Sequence, residues 1–318
     1  MRRALLLFAA FLALPLPAAE ITLTTPTGDL HGTLLVPQTT APPNVVLIIA
    51  GSGPTDRDGN SVGAAGRNDA LKMLAEALLA RGIASVRYDK RGVAASAPAA
   101  PSESDLRFDT YVEDAAAWLH MLVADPRFSE VAVAGHSEGA LIGTLAAQQV
   151  AIDRVISIAG AGRPAGEVLL EQLERQLTGS LLDASRAIIA SLNAGNIYPN
   201  PPSALSSLFR PSVQPYLISW FRYDPAAELA KLTVPVLIVQ GTTDIQVAVI
   251  DAQRLAAAKP AAPLVIINGM NHVLKDVPDD LEAQARSYTD PTLPIDATLP
   301  NVIGTFIEHK ARRRVARH

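Results

Sequence analysis

The feature that most constrains this chain is a recurring run of largely apolar residues rich in β-branched side chains, clearest at 45–50, where no polar residue interrupts it. Residues 45–50 read VVLIIA, and counterparts stand at 83–88, 131–134, 154–159, 236–240 and 264–267. A strand with one wet face alternates polar and apolar side chains. A strand without that alternation is covered on both faces, as in parallel sheets flanked by helices. Segments with helical apolar spacing lie between these runs at 68–81, 105–123 and 140–150, and a last helix is expected over 299–311. Strand and helix in repeated alternation predict an α/β architecture with a mainly parallel sheet. Ahead of the first buried run, 20–25 and 30–37 read as two strands around a Thr-Gly-Asp turn, a hairpin.

Residues 162–224 break the rhythm. Val168, Leu169, Leu173 and Leu177, then Leu181, Ile188 and Ile189, fall at helical spacing, and five prolines from Pro199 to Pro215 follow. The stretch is too long for an ordinary connection and carries no strand pattern. It is read as a helical cap over the C-terminal ends of the strands, inserted into a core made of 20–161 and 225–318.

Residues 1–19 have a different character. Arg2 and Arg3 precede an apolar stretch at 4–16, and the small residues Ala18 and Ala19 come before Glu20. This is the composition of a secretory signal peptide and is short for a membrane span. The expectation is cleavage near Ala18 or Ala19 and export of the mature chain to the periplasm or medium, with no stable span. A retained N-terminal anchor is the alternative. The chain has no cysteine, which excludes disulfides, thiolate metal sites and cysteine nucleophiles. Its net charge of −4 gives no support to nucleic-acid binding. The basic residues Lys310, Arg312, Arg313, Arg314 and Arg317 are read as the solvated end of the last helix.

The chemistry is concentrated after the strands. Residues 131–139 read VAVAGHSEG, a strand running into G-x-S-x-G and then an apolar helix. In that setting Ser137 sits on a turn so tight that side chains at Gly135 and Gly139 would collide, which leaves its hydroxyl exposed beside a helix N-terminus. A serine hydroxyl needs a base. Among the six histidines, His272 follows the last strand, in NGMNH, where a loop can reach the serine. His136 adjoins the serine, and its ring is expected to point away from Oγ. The base needs an orienting carboxylate. Asp244 follows the strand in VPVLIVQGTTD, whereas the nearest rival, Asp251, falls in the next helix. Acyl transfer also needs donors for an oxyanion. The N–H of Glu138, after the nucleophile, is one. The turn Gly51-Ser52-Gly53-Pro54 offers the other, the Ser52 N–H ahead of the Gly53 N–H. The charged residues of TDRDGN at 55–60 and of YDKRG at 88–92 are read as ion pairs that hold loops.

Taken together, GSGPTDRDGN, YDKRG, GHSEG, GTTD and GMNH resemble bacterial α/β-hydrolases of the carboxylesterase and serine-aminopeptidase-like group, and most of all their secreted esterase branch. The resemblance runs over nearly the whole mature chain. It implies an eight-stranded sheet with a helical cap, no cofactor, a Ser137–Asp244–His272 triad in that family's chain order, and oxyanion donors at Ser52 and Glu138. Two departures stand out. Ala50-Gly51 replaces the His-Gly frequent in relatives, and the loop Arg91-Gly92-Val93-Ala94-Ala95-Ser96 lacks a glycine common there.

The expected activity is hydrolysis of short- to medium-chain acyl esters, small molecules, through an acyl-enzyme, with an apolar acyl pocket supplied by the cap. A serine aminopeptidase or amidase with the same triad is the first rival. It needs a carboxylate for a substrate amine, for which the cap offers Glu167, Glu171 and Glu174. A non-catalytic binding protein of the same fold is the second.

Overall fold

The computed structural model describes residues 18–100 and 102–309. The apolar stretch at 4–16 and the basic residues from Lys310 onward lie outside the described residues. A hairpin of β1 (Ala19–Thr25) and β2 (Gly28–Leu35) opens the fold. The buried runs form β3 (Val45–Ile49), β4 (Ala84–Tyr88), β5 (Val131–His136), β6 (Arg154–Ile158), β7 (Val236–Gly241) and β8 (Leu264–Ile267). The strands make one eight-stranded sheet in the order β1-β2-β4-β3-β5-β6-β7-β8. The hairpin strands pair antiparallel, with β2 also antiparallel to β4, and the rest are parallel.

Alternate residues of β3 enter opposite layers, as the period of a pleated strand requires. Val45, Leu47 and Ile49 join α2 (Phe108–Ala124) and α3 (Glu138–Gln149) in one core. Val46 and Ile48 join α1 (Ala70–Ala80) and, near the C-terminus, Leu299, Ile303 and Ile307 in the other. Both faces of the sheet are therefore dry at its centre.

After β3 the chain crosses to β4 on one side and returns to β5 on the other. Such a reversal opens a crevice at the carboxyl ends of the strands, where ligands of open α/β sheets bind. The register sets Ile49 of β3 opposite Gly135 of β5, so the loops after both strands emerge side by side.

Between β6 and β7 the backbone is helical, with α4 (Ala165–Gln176), α5 (Gly179–Asn193), a short α6 (Ser206–Phe209), α7 (Gln214–Phe221) and α8 (Pro225–Ala230). Phe108 stacks on Trp220 at 5.8 Å, and its backbone N–H donates to Ser219 Oγ at 2.8 Å, which fixes α7 to the start of α2. Helices α9 (Val249–Ala258), α10 (Leu281–Ser287) and α11 (Thr298–Glu308) complete the chain. Helix α2 begins later than its apolar spacing suggests, because Glu103–Asp105 form a separate 3-10 turn. Sequence pattern does not anticipate α10. It is one short helix, and the Asp280 carboxylate caps it by accepting the Ala283 N–H at 2.8 Å.

Candidate active site

Ser137 stands between β5 and α3 at φ 55°, ψ −119°, a conformation a side chain rarely adopts. Its neighbours show why it is held there. A Cβ on Gly135 would lie 2.0 Å from the Gly139 carbonyl oxygen, and one on Gly139 would lie 2.4 Å from the Ile49 carbonyl oxygen. Helix α3 is packed so closely on the sheet that only hydrogen fits at both positions. The result is a serine presented above the ends of β3 and β5, and its hydroxyl has no hydrogen-bond partner among the described residues. Gly51 lies directly against it, since a Cβ there would be 3.2 Å from Ser137 Cβ.

His272 and Asp244 meet. The His272 Nδ1–H donates to Asp244 Oδ2 at 2.8 Å, with both side chains buried. The carboxylate is well supplied with donors. Gln246 and Val247 give backbone N–H bonds to Oδ1 at 2.8 and 2.9 Å, and Gln240 Nε2 reaches Oδ2 at 3.1 Å. Burial pushes the Asp244 pKa up, but the charge and hydrogen bond of His272 and the two backbone donors outweigh it. The group stays below the usual carboxylate value. An ionised, acceptor-only Asp244 fixes the proton of His272 on Nδ1 and leaves Nε2 free to accept one.

Ser137 and His272 share one cavity of about 140 Å³. Its other walls come from the loop after β3 and from residues that follow Asp244 and β8, including Thr55, Ser61, Asn68, Gln246 and Tyr288. Among the described residues, none that lines it belongs to 162–224, and none carries a carboxylate. The expectation of an acyl pocket built from the cap's leucines is therefore corrected: those side chains are spent on the core that they share with α2 and α3.

Asp251 is placed elsewhere. It is fully buried, accepts the Gly162 N–H at 3.0 Å and takes two bonds from Arg163, so it pins the entrance of the helical segment to α9. Glu171 pairs with Arg163 and Arg175, and Glu174 with Arg186. Asp89 holds Arg57, and Arg91 holds Asp114, which ties the loops after β3 and β4 to the hairpin and to α2.

The Ser52 and Glu138 N–H groups, the expected oxyanion donors, have no acceptor among the described residues. Three contributors escape sequence reasoning. His136 lines the same cavity, and its Nε2–H donates to the His272 carbonyl oxygen at 2.8 Å. Gln240 is a lone polar side chain at the end of an otherwise apolar strand, which is itself the signal of a buried hydrogen-bonding role. Asn271 is buried, with Nδ2 donating to Gln284 Oε1 and to Ser287 Oγ on α10 at 3.2 and 2.7 Å, while Gln284 Nε2 donates to the Thr243 carbonyl oxygen at 3.2 Å. Helix α10 thereby joins the loop of His272 to the loop of Asp244.

Comparison with known proteins places the chain among hydrolases of similar fold. The family described as serine aminopeptidase, S33, matches residues 63–207. The chain is 26% identical over 260 residues to esterase EstD of Thermotoga maritima, an alignment that takes in 78% of this chain. It spans 58% of the length of that relative. Among solved structures it is similar to Est1E from Butyrivibrio proteoclasticus, with a TM-score of 0.58 at 17% identity over 91% of this chain and 97% of that one. The esterase domain of a Rhodothermus marinus protein superposes with a TM-score of 0.55 at 16% identity, over 92% of this chain and 98% of that one. At such identities the solved structures establish the α/β-hydrolase fold.

Proposed function

We propose that this chain, an α/β-hydrolase similar to esterases and serine aminopeptidases, is a carboxylic ester hydrolase acting on short acyl groups through an acyl-enzyme. The observation that carries the reading is the strained Ser137 in one cavity with a His272 whose Nδ1–H is engaged by Asp244 at 2.8 Å. Ser137 Oγ attacks the acyl carbon as His272 Nε2 takes its proton. The Ser52 and Glu138 N–H groups receive the oxyanion. Collapse expels the alcohol, protonated by His272. Water, deprotonated at the same nitrogen, then releases the acid and frees the serine.

The size and lining of the cavity support the substrate class. About 140 Å³, walled by hydroxyl and amide groups together with Ala70, Leu71, Val273 and Leu274, suits a small acyl group better than a long aliphatic one. An aminopeptidase needs an anionic partner for the substrate's ammonium, and the cavity offers none among the described residues. The name of the EstD relative points the same way. We further propose that residues 1–19 direct export. The mature protein recovered from the native host should begin near Glu20 when its mass is measured.

The test is turnover of p-nitrophenyl esters of increasing acyl length and of an alanyl p-nitroanilide by wild type and Ser137→Ala. Ester cleavage that declines with acyl length and vanishes in Ser137→Ala supports the proposal. Cleavage of the anilide alone moves the assignment to a peptidase.

A further inference from the structure

Behind the nucleophile lies a buried ion pair that the reaction above does not use. Lys90, two residues past the end of β4, reaches Glu138 Oε2 with Nζ at 2.7 Å, and both side chains are 1% exposed. The same ammonium donates to the Gly51 carbonyl oxygen at 2.5 Å and lies 5.0 Å from the centre of the Tyr111 ring. Carbonyl, carboxylate and aromatic face together satisfy a group that would otherwise be very costly to bury. The other oxygen of Glu138 accepts the Tyr216 hydroxyl of α7.

The two bonds of Lys90 fall on the two residues that matter for oxyanion binding. A trans peptide is planar, with its carbonyl and its N–H pointing in opposite directions. The peptide joining Gly51 to Ser52 is trans. Once the Gly51 carbonyl is held by Lys90, the Ser52 N–H of that same plane is turned away from Lys90; Gly51 itself lies beside Ser137. The second bond grips the side chain of Glu138, whose own N–H is the other donor.

We infer that Lys90 is a positioning residue for the oxyanion hole, orienting the Gly51–Ser52 peptide and the first residue of α3 through one buried ammonium. The inference rests on the ester-hydrolase reading and adds to it a residue that touches no substrate. A hole held by such a clamp needs no reorganisation as charge develops, and this is where preorganised donors gain their effect.

Lys90→Met alone would strand the Glu138 carboxylate, so the decisive variant is Lys90→Met combined with Glu138→Gln, which removes both charges and keeps a partner for Tyr216. The measurements are kcat and KM for p-nitrophenyl acetate, thermal unfolding, and inhibition by a trifluoromethyl ketone, whose serine adduct places an oxyanion in the hole. Loss of the clamp should lower kcat on the order of 10²-fold, raise the inhibition constant by a similar factor, and leave KM within about threefold. A merely structural role would move the unfolding temperature without that kcat-specific pattern. If the double variant does not fold, Lys90→Gln in the Glu138→Gln background serves, with no buried charge left unpaired. Its amide ends one atom short of the ammonium, too far from Gly51 for a hydrogen bond, and the same pattern is expected. A folded variant with kcat and inhibition constant both within about threefold of wild type overturns the inference. Wild type and Ser137→Ala in the same assay keep the two readings apart. Turnover that survives Ser137→Ala removes the esterase proposal, whereas serine-dependent turnover indifferent to Lys90 removes only the clamp.

Discussion

His136 Nε2–H donates to the backbone carbonyl of His272 at 2.8 Å, so the residue before Ser137 holds the backbone of His272. The two rings lie 4.8 Å apart. A carbonyl only accepts, so His136 Nε2 carries a proton. Burial and the neighbouring His272 together hold its pKa down at about 3. His136→Ala removes the tether and lets the His272 loop drift. We expect kcat for p-nitrophenyl acetate to fall by about 10- to 100-fold, with Ser137 still labelled slowly by a fluorophosphonate.

His136 also sets a pH dependence of stability. Its native pKa of about 3 lies below the ordinary value of 6.5. Between those values the unfolded chain binds a proton that the native protein does not, so this contribution is fully present above about pH 6.5 and is lost as pH falls through the window. Asp244, depressed below 3.8, acts in the same direction, but only at lower pH. Chemical denaturation at pH 7 and pH 5 should show wild type losing about 2 kcal/mol more than His136→Gln over that interval. Parallel losses in the two proteins would contradict the assignment.

The two candidate acids separate cleanly. Asp244→Asn leaves the geometry near native but no longer fixes the proton of His272 on Nδ1, and kcat should drop by about 10⁴-fold with little change in KM. Asp251→Asn weakens the bonds to Arg163 and Gly162. It should lower the unfolding temperature by several degrees while kcat stays within a few-fold. Steady-state kinetics and thermal scans on the two variants decide between them.

Gly139→Ala brings a methyl group to 2.4 Å from the Ile49 carbonyl oxygen, a contact that only movement of α3 or β3 relieves. We expect poor soluble yield or a destabilisation of about 3 kcal/mol or more, together with loss of fluorophosphonate labelling. A stable, fully labelled variant would show that the turn tolerates more than its geometry suggests.

Much of this protein was determined by its sequence. Runs such as 45–50, apolar at every position, have no wet face, and burial on both sides imposes a parallel sheet between helices. Strand, G-x-S-x-G and helix in succession determine the elbow, because only glycines permit that packing. Asp244 and His272 were legible for the same local reason, each following a buried strand at the end where loops converge.

What the tertiary structure alone decided are the partnerships. His136 with the His272 carbonyl, Asn271 with Gln284, and Lys90 with Gly51 and Glu138 join residues 136, 13, 39 and 48 positions apart. No local periodicity encodes contacts at such separations. The cavity walls were hidden as well. The leucine-rich spacing of the helical segment announced an apolar surface without saying what it would cover, and the fold used it against α2 and α3. A hydrophobic pattern specifies that a face must be buried. Which partner buries it, and which polar groups are left around Ser137, follows only when the strands are set side by side.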